Sequence, residues 1–250
     1  MRAILLAAGK GTRIYRHFKC PKSTLKVGEE PIIERSVRLL KKRGFDITIV
    51  LGYQHKYIEK QLEQYDIDYC YNPFFSVTNS LGSLWMAKKY LVPGETVVIC
   101  NADVFWDEPL IDRLMEQDYD AVMAADSSRY LIGDYFFKVI NGCVVSYGKE
   151  LDIGERTHEY VGLAKIAPGF VKTFSMRLDE LIEKEKYDLW WENVLYENIQ
   201  KTPIHIIDVP ELFWAEVDYV QDYERILDYV KSGDYRVKLD VKYNPHASDI

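Results

Sequence analysis

The chain has 250 residues, 48% of them hydrophobic and 28% charged, the proportions of a soluble globular protein with a sizeable core. Its net charge of −7 argues against a general binder of nucleic acid or of membrane surfaces. Yet the run from Lys10 to Lys26 holds six cations and no acid, which suits a small anionic ligand better than a polymer.

In chain order, residues 2–7, "RAILLA", read as a buried strand, and 8–26 as a loop. Residues 31–44 read as a helix, with proline at the first turn and glycine at the end. A strand over 47–52, an amphipathic helix over 55–65 and a strand over 67–72 follow. Residues 79–91 read as a helix, 95–103 as a strand ending in polar residues, 109–117 as a helix and 120–125 as a strand. This alternation predicts an α/β fold, a mostly parallel central sheet with helices on both faces. Ligands of such sheets sit outside the C-terminal strand ends, here the loops after Ala7, Asn72 and Asn101.

From about 134 the pattern changes to an antiparallel hairpin around "NG" at 141–142, then a strand over 159–166. Helices over 168–185 and 190–201, two strands ("IHIIDV" and "LFWAEVD") and a helix over 219–231 complete the pattern. Residues 1–232 read as one unit, with a first half to about 130, a second half after it, and a polar tail over 233–250. The cysteines at 20, 70, 100 and 143 form no C-x-x-C pair and read as free thiols in a reducing cytoplasm. The N-terminal apolar run is too short for a signal peptide, and no stretch approaches the roughly 20 apolar residues that span a bilayer.

The glycine loop "LLAAGKGTRI" fits neither common phosphate motif. It lacks the spacing G-x-x-x-x-G-K-[ST], and Ile14 takes the third place of G-x-G-x-x-G. With "PK" at 21–22 and "PIIE" at 31–34, however, "LAAGKGTR" resembles the signature of the nucleotidyltransferases, which join a nucleoside triphosphate to a phosphorylated small molecule. The resemblance implies a Rossmann-like, GT-A-like fold. It implies that Leu6, Ala7, Ala8, Gly9, Lys10, Gly11 and Thr12 wrap the triphosphate, with Lys10 and Arg13 on the leaving phosphates and Lys22 on the α-phosphate. Arg16 and Lys19 read as solvated loop charges.

The resemblance also implies a Mg2+ site. Asp103 of "CNAD", next to Ala102, and Asp218 of "WAEVD" are its carboxylates, with Glu216 as a helper. Residues two apart on a strand share a face, which allows Glu216 and Asp218 one site. The plainer reading of Asp218 is a helix N-cap.

"TNSLGSL" resembles the base-reading stretch of small cytidylyltransferases acting on phosphocholine and aminoethylphosphonate, which implicates Asn79, Ser80, Gly82 and Ser83. "DLWWENVLYENI" and "HEYVGLAKI" resemble their acceptor regions, although His158 stands where they have glycine. Tyr135, Glu159, Gly162, Trp190 and Trp191 are the acceptor candidates, and Trp106 joins the aromatic ones. Adjacent Trp190 and Trp191 cannot both face one pocket if helical.

The resulting expectation is a Mg-dependent cytidylyltransferase whose partners are CTP and a small phosphorylated or phosphonate acceptor. No nucleic acid and no membrane partner is expected, and self-association into a homodimer is left open. The runner-up is a sugar-1-phosphate nucleotidyltransferase using UTP, dTTP or CTP. A non-catalytic nucleotide sensor is disfavoured because Lys22, Asp103 and Asp218 are all present.

Overall fold

The computed structural model describes residues 1–232. Its elements are β1 (Arg2–Ala7), α1 (Thr12–Phe18), β2 (Lys26–Val27), β3 (Glu30–Pro31), α2 (Ile32–Lys42), β4 (Asp46–Leu51), α3 (His55–Gln61) and β5 (Asp68–Tyr71). Next come α4 (Ser80–Met86), β6 (Val97–Asn101), β7 (Val104–Trp106), α5 (Pro109–Met115), β8 (Ala121–Asp126), β9 (Phe136–Ile140) and β10 (Cys143–Gly148). The chain continues through β11 (His158–Ile166), α6 (Val171–Glu183), α7 (Asn193–Tyr196), β12 (His205–Asp208), β13 (Trp214–Glu216) and α8 (Val220–Ser232). The expected tail lies outside the described residues.

The main sheet has nine strands in the order β5-β4-β1-β6-β11-β8-β12-β10-β9. Its first four strands are parallel, β11 runs antiparallel to both β6 and β8, and β12 is parallel to β8. The sheet is therefore mixed, with its parallel part where the βα alternation predicts it. Both faces are covered, so side chains alternate between two cores. On β6, Val98 and Cys100 join one core while Val97 and Ile99 join the other.

Three departures from the sequence reading shape the site. The stretch expected as a loop contains α1 and a 3-10 turn, Lys22–Thr24. Its helical pattern is masked because few of its residues are apolar. Ile14, only 1% exposed, anchors it to a third core with Val217 and Ile226. Of the helix expected over 190–201, only Asn193–Tyr196 is helical. And "LFWAEVD" does not end the main sheet. Its strand β13 pairs antiparallel with β7 in a separate ribbon, a non-local choice that no local pattern encodes.

Gly162 has a packing role rather than the expected acceptor role. It lies in β11 where pairing with β8 shifts register between Tyr160 and Ala164. Its φ is +96°, and a Cβ there would stand 2.9 Å from Val104 Cγ2. A glycine bulge is the economical way to bend a long strand. Gly162→Ala is expected to lower the unfolding free energy by about 1–3 kcal/mol through strain and contact, read as a lower urea midpoint at unchanged slope.

Candidate functional site

The C-terminal ends of β1 and β6 open into a cleft of about 680 Å³. The loop after β1 forms one wall. Where a Cβ of Gly9 would project, nothing lies within 4 Å, so its backbone faces open cleft. Gly11 does a different job: a Cβ there would stand 2.5 Å from Lys22 Cγ, and its φ is +60°. The second glycine therefore exists to let the Lys22 stem pass beneath the loop. Pro21 starts the turn that aims Lys22, its carbonyl accepting bonds from Thr24 N at 2.9 Å and Thr24 Oγ1 at 2.7 Å.

The β7–β13 ribbon brings the two acidic corners together. Glu216 pairs with Val104, and Val217 N donates to Asp103 O at 3.1 Å. Asp103 and Asp218 thus emerge side by side from neighbouring strands. Lys22 Nζ lies 2.7 Å from an oxygen of each, and Arg13 reaches Asp218 at 3.1 Å. Asp218 is no N-cap: Asp222 accepts from the backbone N–H groups of Asp218 and Tyr219 instead. Burial raises the Asp218 carboxyl, but Lys22 and Arg13 outweigh it and hold it below its ordinary value. Glu216 goes the other way, pushed well above the carboxylate range by burial and then by Asp103 and Asp218. Lys22 is held ionised, its burial outweighed by Asp103 and Asp218.

This donor set fits a hard divalent cation. Two carboxylates close enough to share one ammonium can share one metal ion, which takes its remaining ligands from water and substrate phosphate. Among the described residues no three His, Cys, Asp or Glu side chains form a metal-binding group on their own.

Around the cleft, Leu6, Ala7, Ala8, Lys10, Asn79 and Ala102 all line it as expected. Thr12 starts α1, but its side chain and that of Arg16 lie outside the described residues. Asn79 is the N-cap of α4, accepting from Ser80 N at 2.8 Å. Ser80 Oγ accepts from Trp191 N at 2.9 Å and Ser83 Oγ from Asn72 Nδ2 at 3.0 Å, so each keeps a hydroxyl proton to donate into the cleft. Gly82 does not line the cleft; a Cβ on it would meet Thr78 Cβ at 2.8 Å, and its role is packing.

The far end of the cleft is aromatic and acidic. Tyr135 and Trp190 meet edge to face at 5.7 Å, and Tyr135 stacks on Tyr196 at 5.7 Å. Trp190 is 39% exposed, whereas Trp191 and Trp106 are fully buried in the cores, which removes both from the acceptor site. Glu159 lines the cleft, but its charge is already met: Arg129 Nε lies 2.5 Å away and Asp134 N donates at 3.3 Å. Burial still raises Glu159 to about 7, with Arg129 holding it back. Gly133 exists for this carboxylate, since a Cβ there would overlap Glu159 Oε1.

Sequence reasoning missed Asp134, Lys149, Tyr160, Glu192 and Tyr196, all of which line the cleft. For Glu192 a signal was present. It is the acid of the "LWWEN" stretch, directly after the two tryptophans.

With this geometry in place, the comparison with known proteins is direct. The model of the MobA-like NTP transferase domain matches residues 3–197. The chain belongs to this family. This MobA-like NTP transferase is a nucleotidyltransferase enzyme of α/β fold. It is 26% identical to a choline-phosphate cytidylyltransferase of Streptococcus pneumoniae over 93% of this chain and 99% of that one. It is 27% identical to a CMP-5'-(3-aminopropyl)phosphonate synthase of Streptomyces rubellomurinus over 87% of this chain, spanning 37% of that protein. The solved CTP:phosphocholine cytidylyltransferase of Streptococcus pneumoniae shares the fold, with a TM-score of 0.79 at 22% identity over 92% of this chain and 98% of that one. So does the inositol-1-phosphate CTP transferase of T. maritima, with a TM-score of 0.75 at 18% identity over 93% and 96%.

The buried Arg129–Glu159 pair gives a pH-dependent prediction. Arg129→Met leaves Glu159 buried without its partner, which is expected to cost about 3 kcal/mol once the carboxyl is ionised. An unfolded glutamate titrates near 4.3, and Glu159 in the folded variant titrates well above that. Wild-type Glu159 itself sits at about 7, so the deficit relative to wild type opens as pH rises through that value and fades below it, where both native carboxyls carry a proton. Urea unfolding of both proteins is expected to show a deficit that grows from pH 7 to pH 9 and a much smaller one at pH 5.

Proposed function

We propose that this MobA-like NTP transferase is a Mg-dependent cytidylyltransferase. It joins CMP from CTP to a small phosphate or phosphonate that carries an amino or quaternary ammonium group, with pyrophosphate as the other product. What carries this reading is the polarity of one cleft: a basic glycine loop at one end, an aromatic and acidic corner at the other. The full-length relationship to a choline-phosphate cytidylyltransferase supports the choice of base and acceptor class.

The chain's residues take the following parts. Backbone N–H groups of Gly9 to Gly11, with Lys10 and Arg13, hold the β- and γ-phosphates. The hydroxyls of Ser80 and Ser83 face the pyrimidine. Lys22 leaves its carboxylates for the α-phosphate oxygens, where charge builds as the new bond forms. Asp103 and Asp218 hold magnesium with Glu216 beside them; when bound, the ion offsets phosphate charge and helps align the reacting groups. An acceptor oxygen bonds to the α-phosphorus as the bond to the β-phosphate oxygen breaks. The acceptor phosphate is already anionic, so no general base is required.

Pyrophosphate release, measured with each of four NTPs across phosphocholine, aminoethylphosphonate and sugar 1-phosphates, tests the reading. The expected outcome is turnover with CTP and an ammonium-bearing acceptor. Turnover confined to a sugar 1-phosphate with UTP or dTTP contradicts it. Asp103→Asn is expected to lower kcat by about 10²–10³-fold with the circular dichroism spectrum unchanged. Lys22→Met has two readouts: a similar loss of kcat, and tighter Mn2+ binding in nucleotide-free calorimetry, because the competing ammonium is gone.

A further inference from the structure

The far end of the cleft holds three carboxyl groups, and two already have cations. Glu159 has Arg129, and Asp134 has Lys149. Glu192 is 6% exposed, lines the same cleft, and forms no salt bridge among the described residues. The titratable groups that its charge acts on are tyrosines. Tyr160 approaches from β11, Tyr135 from the segment before β9 and Tyr196 from its own helix, while Glu216 faces Tyr160 from β13. The buried hydroxyls of Tyr160 and Tyr196 find no hydrogen-bond partner at normal geometry, although Tyr160 is near enough to favour the Glu192 carboxylate. Lys149, the cation at this rim, is tied to Asp134 and lies over the Trp190 ring at 5.0 Å. The corner thus already accepts an ammonium on an aromatic face.

A buried carboxyl without a cation keeps its proton. We propose that Glu192 makes the cleft select a positively charged acceptor, standing as the neutral acid when the cleft is empty and releasing its proton to solvent when an ammonium group settles beside Tyr135, Trp190 and Tyr196. This rests on the proposed acceptor class and adds the residue that enforces it and the proton that accompanies binding. A neutral polyol leaves Glu192 protonated and gains nothing from it. A cation converts a desolvated acid into one half of an ion pair.

Burial pushes Glu192 up to about 8 in the empty protein. Below that value the acid carries a proton that the cation must expel, so cation binding weakens as pH falls. At pH 7 it releases close to one proton per site, and at pH 9 close to none.

The test is calorimetric titration of the whole protein, saturated with magnesium and α,β-methylene-CTP, in buffers of different ionisation enthalpy. The probes are phosphocholine and 3,3-dimethylbutyl phosphate, its isostere with carbon in place of the quaternary nitrogen. The shared phosphate cancels in the comparison. The wild-type protein is expected to release about one proton more with phosphocholine than with the isostere at pH 7. Glu192→Gln is expected to abolish that difference. It should also weaken phosphocholine on the order of 30-fold while leaving the isostere unaffected, and raise KM for phosphocholine with little change in kcat.

Equal proton release by the two probes in the wild-type protein overturns the inference without any variant. Phosphocholine turnover combined with unchanged discrimination in Glu192→Gln overturns it as well and leaves the proposed function standing. Failure to bind or transfer to phosphocholine, with turnover of a sugar 1-phosphate, overturns the functional reading and this inference with it.

Discussion

One ammonium between two carboxylates sets the geometry of this molecule. Asp103 and Asp218 come from sequence positions more than a hundred residues apart, and Lys22 from a third place. Without a cation the two acids, with Glu216 beside them, could not share so small and buried a volume in the ionised state. Much of the surrounding structure serves this contact. Gly11 lacks the Cβ that would strike the Lys22 stem, Pro21 shapes the turn that aims it, and the β7–β13 ribbon holds the acids in register. A lysine so placed is the counter-charge of both acids, and in the proposed function it is also the cation that follows an incoming phosphate.

The rest of the cleft follows a rule of charge accounting. Two acids at the aromatic end are met by cations from the chain, the buried Glu159 by Arg129 and the half-buried Asp134 by Lys149. Glu192 has none among the described residues, and in the inference drawn above a substrate supplies it. The glycine loop presents the opposite imbalance, cations and backbone N–H groups with few acids beyond Asp218. From end to end, the cleft has the polarity that the proposed substrates require, phosphates on one side and an ammonium on the other.

The sequence revealed its short-range features well and its long-range ones unevenly. The βα alternation of the first half is legible because each strand buries both faces and each helix carries its own apolar stripe. The helix α1 was hidden because its single deep anchor, Ile14, gives no period; a distant core makes it helical. Trp191 and Trp190 were separated correctly in principle, since adjacent residues on a turn diverge, but only packing shows which one faces the cleft. Gly162 and Gly82 looked like site residues because they sit inside motif-like stretches, and the structure gives both a packing reason instead. Glu159 invited an acceptor role that Arg129 has already filled, whereas Glu192, between tryptophan and asparagine in sequence, has no cation among the described residues. Such assignments depend on which partner the fold brings, and pairwise partners at long range are what a single sequence does not spell out.

A crystal structure of the protein with CDP-choline and magnesium tests the exchange at Lys22 most directly. The expected result places the diphosphate against the glycine loop, Lys22 Nζ on a phosphate oxygen, and the choline group in the aromatic corner beside Glu192. A complex in which Lys22 still bridges Asp103 and Asp218, with the diphosphate bound elsewhere, would contradict it.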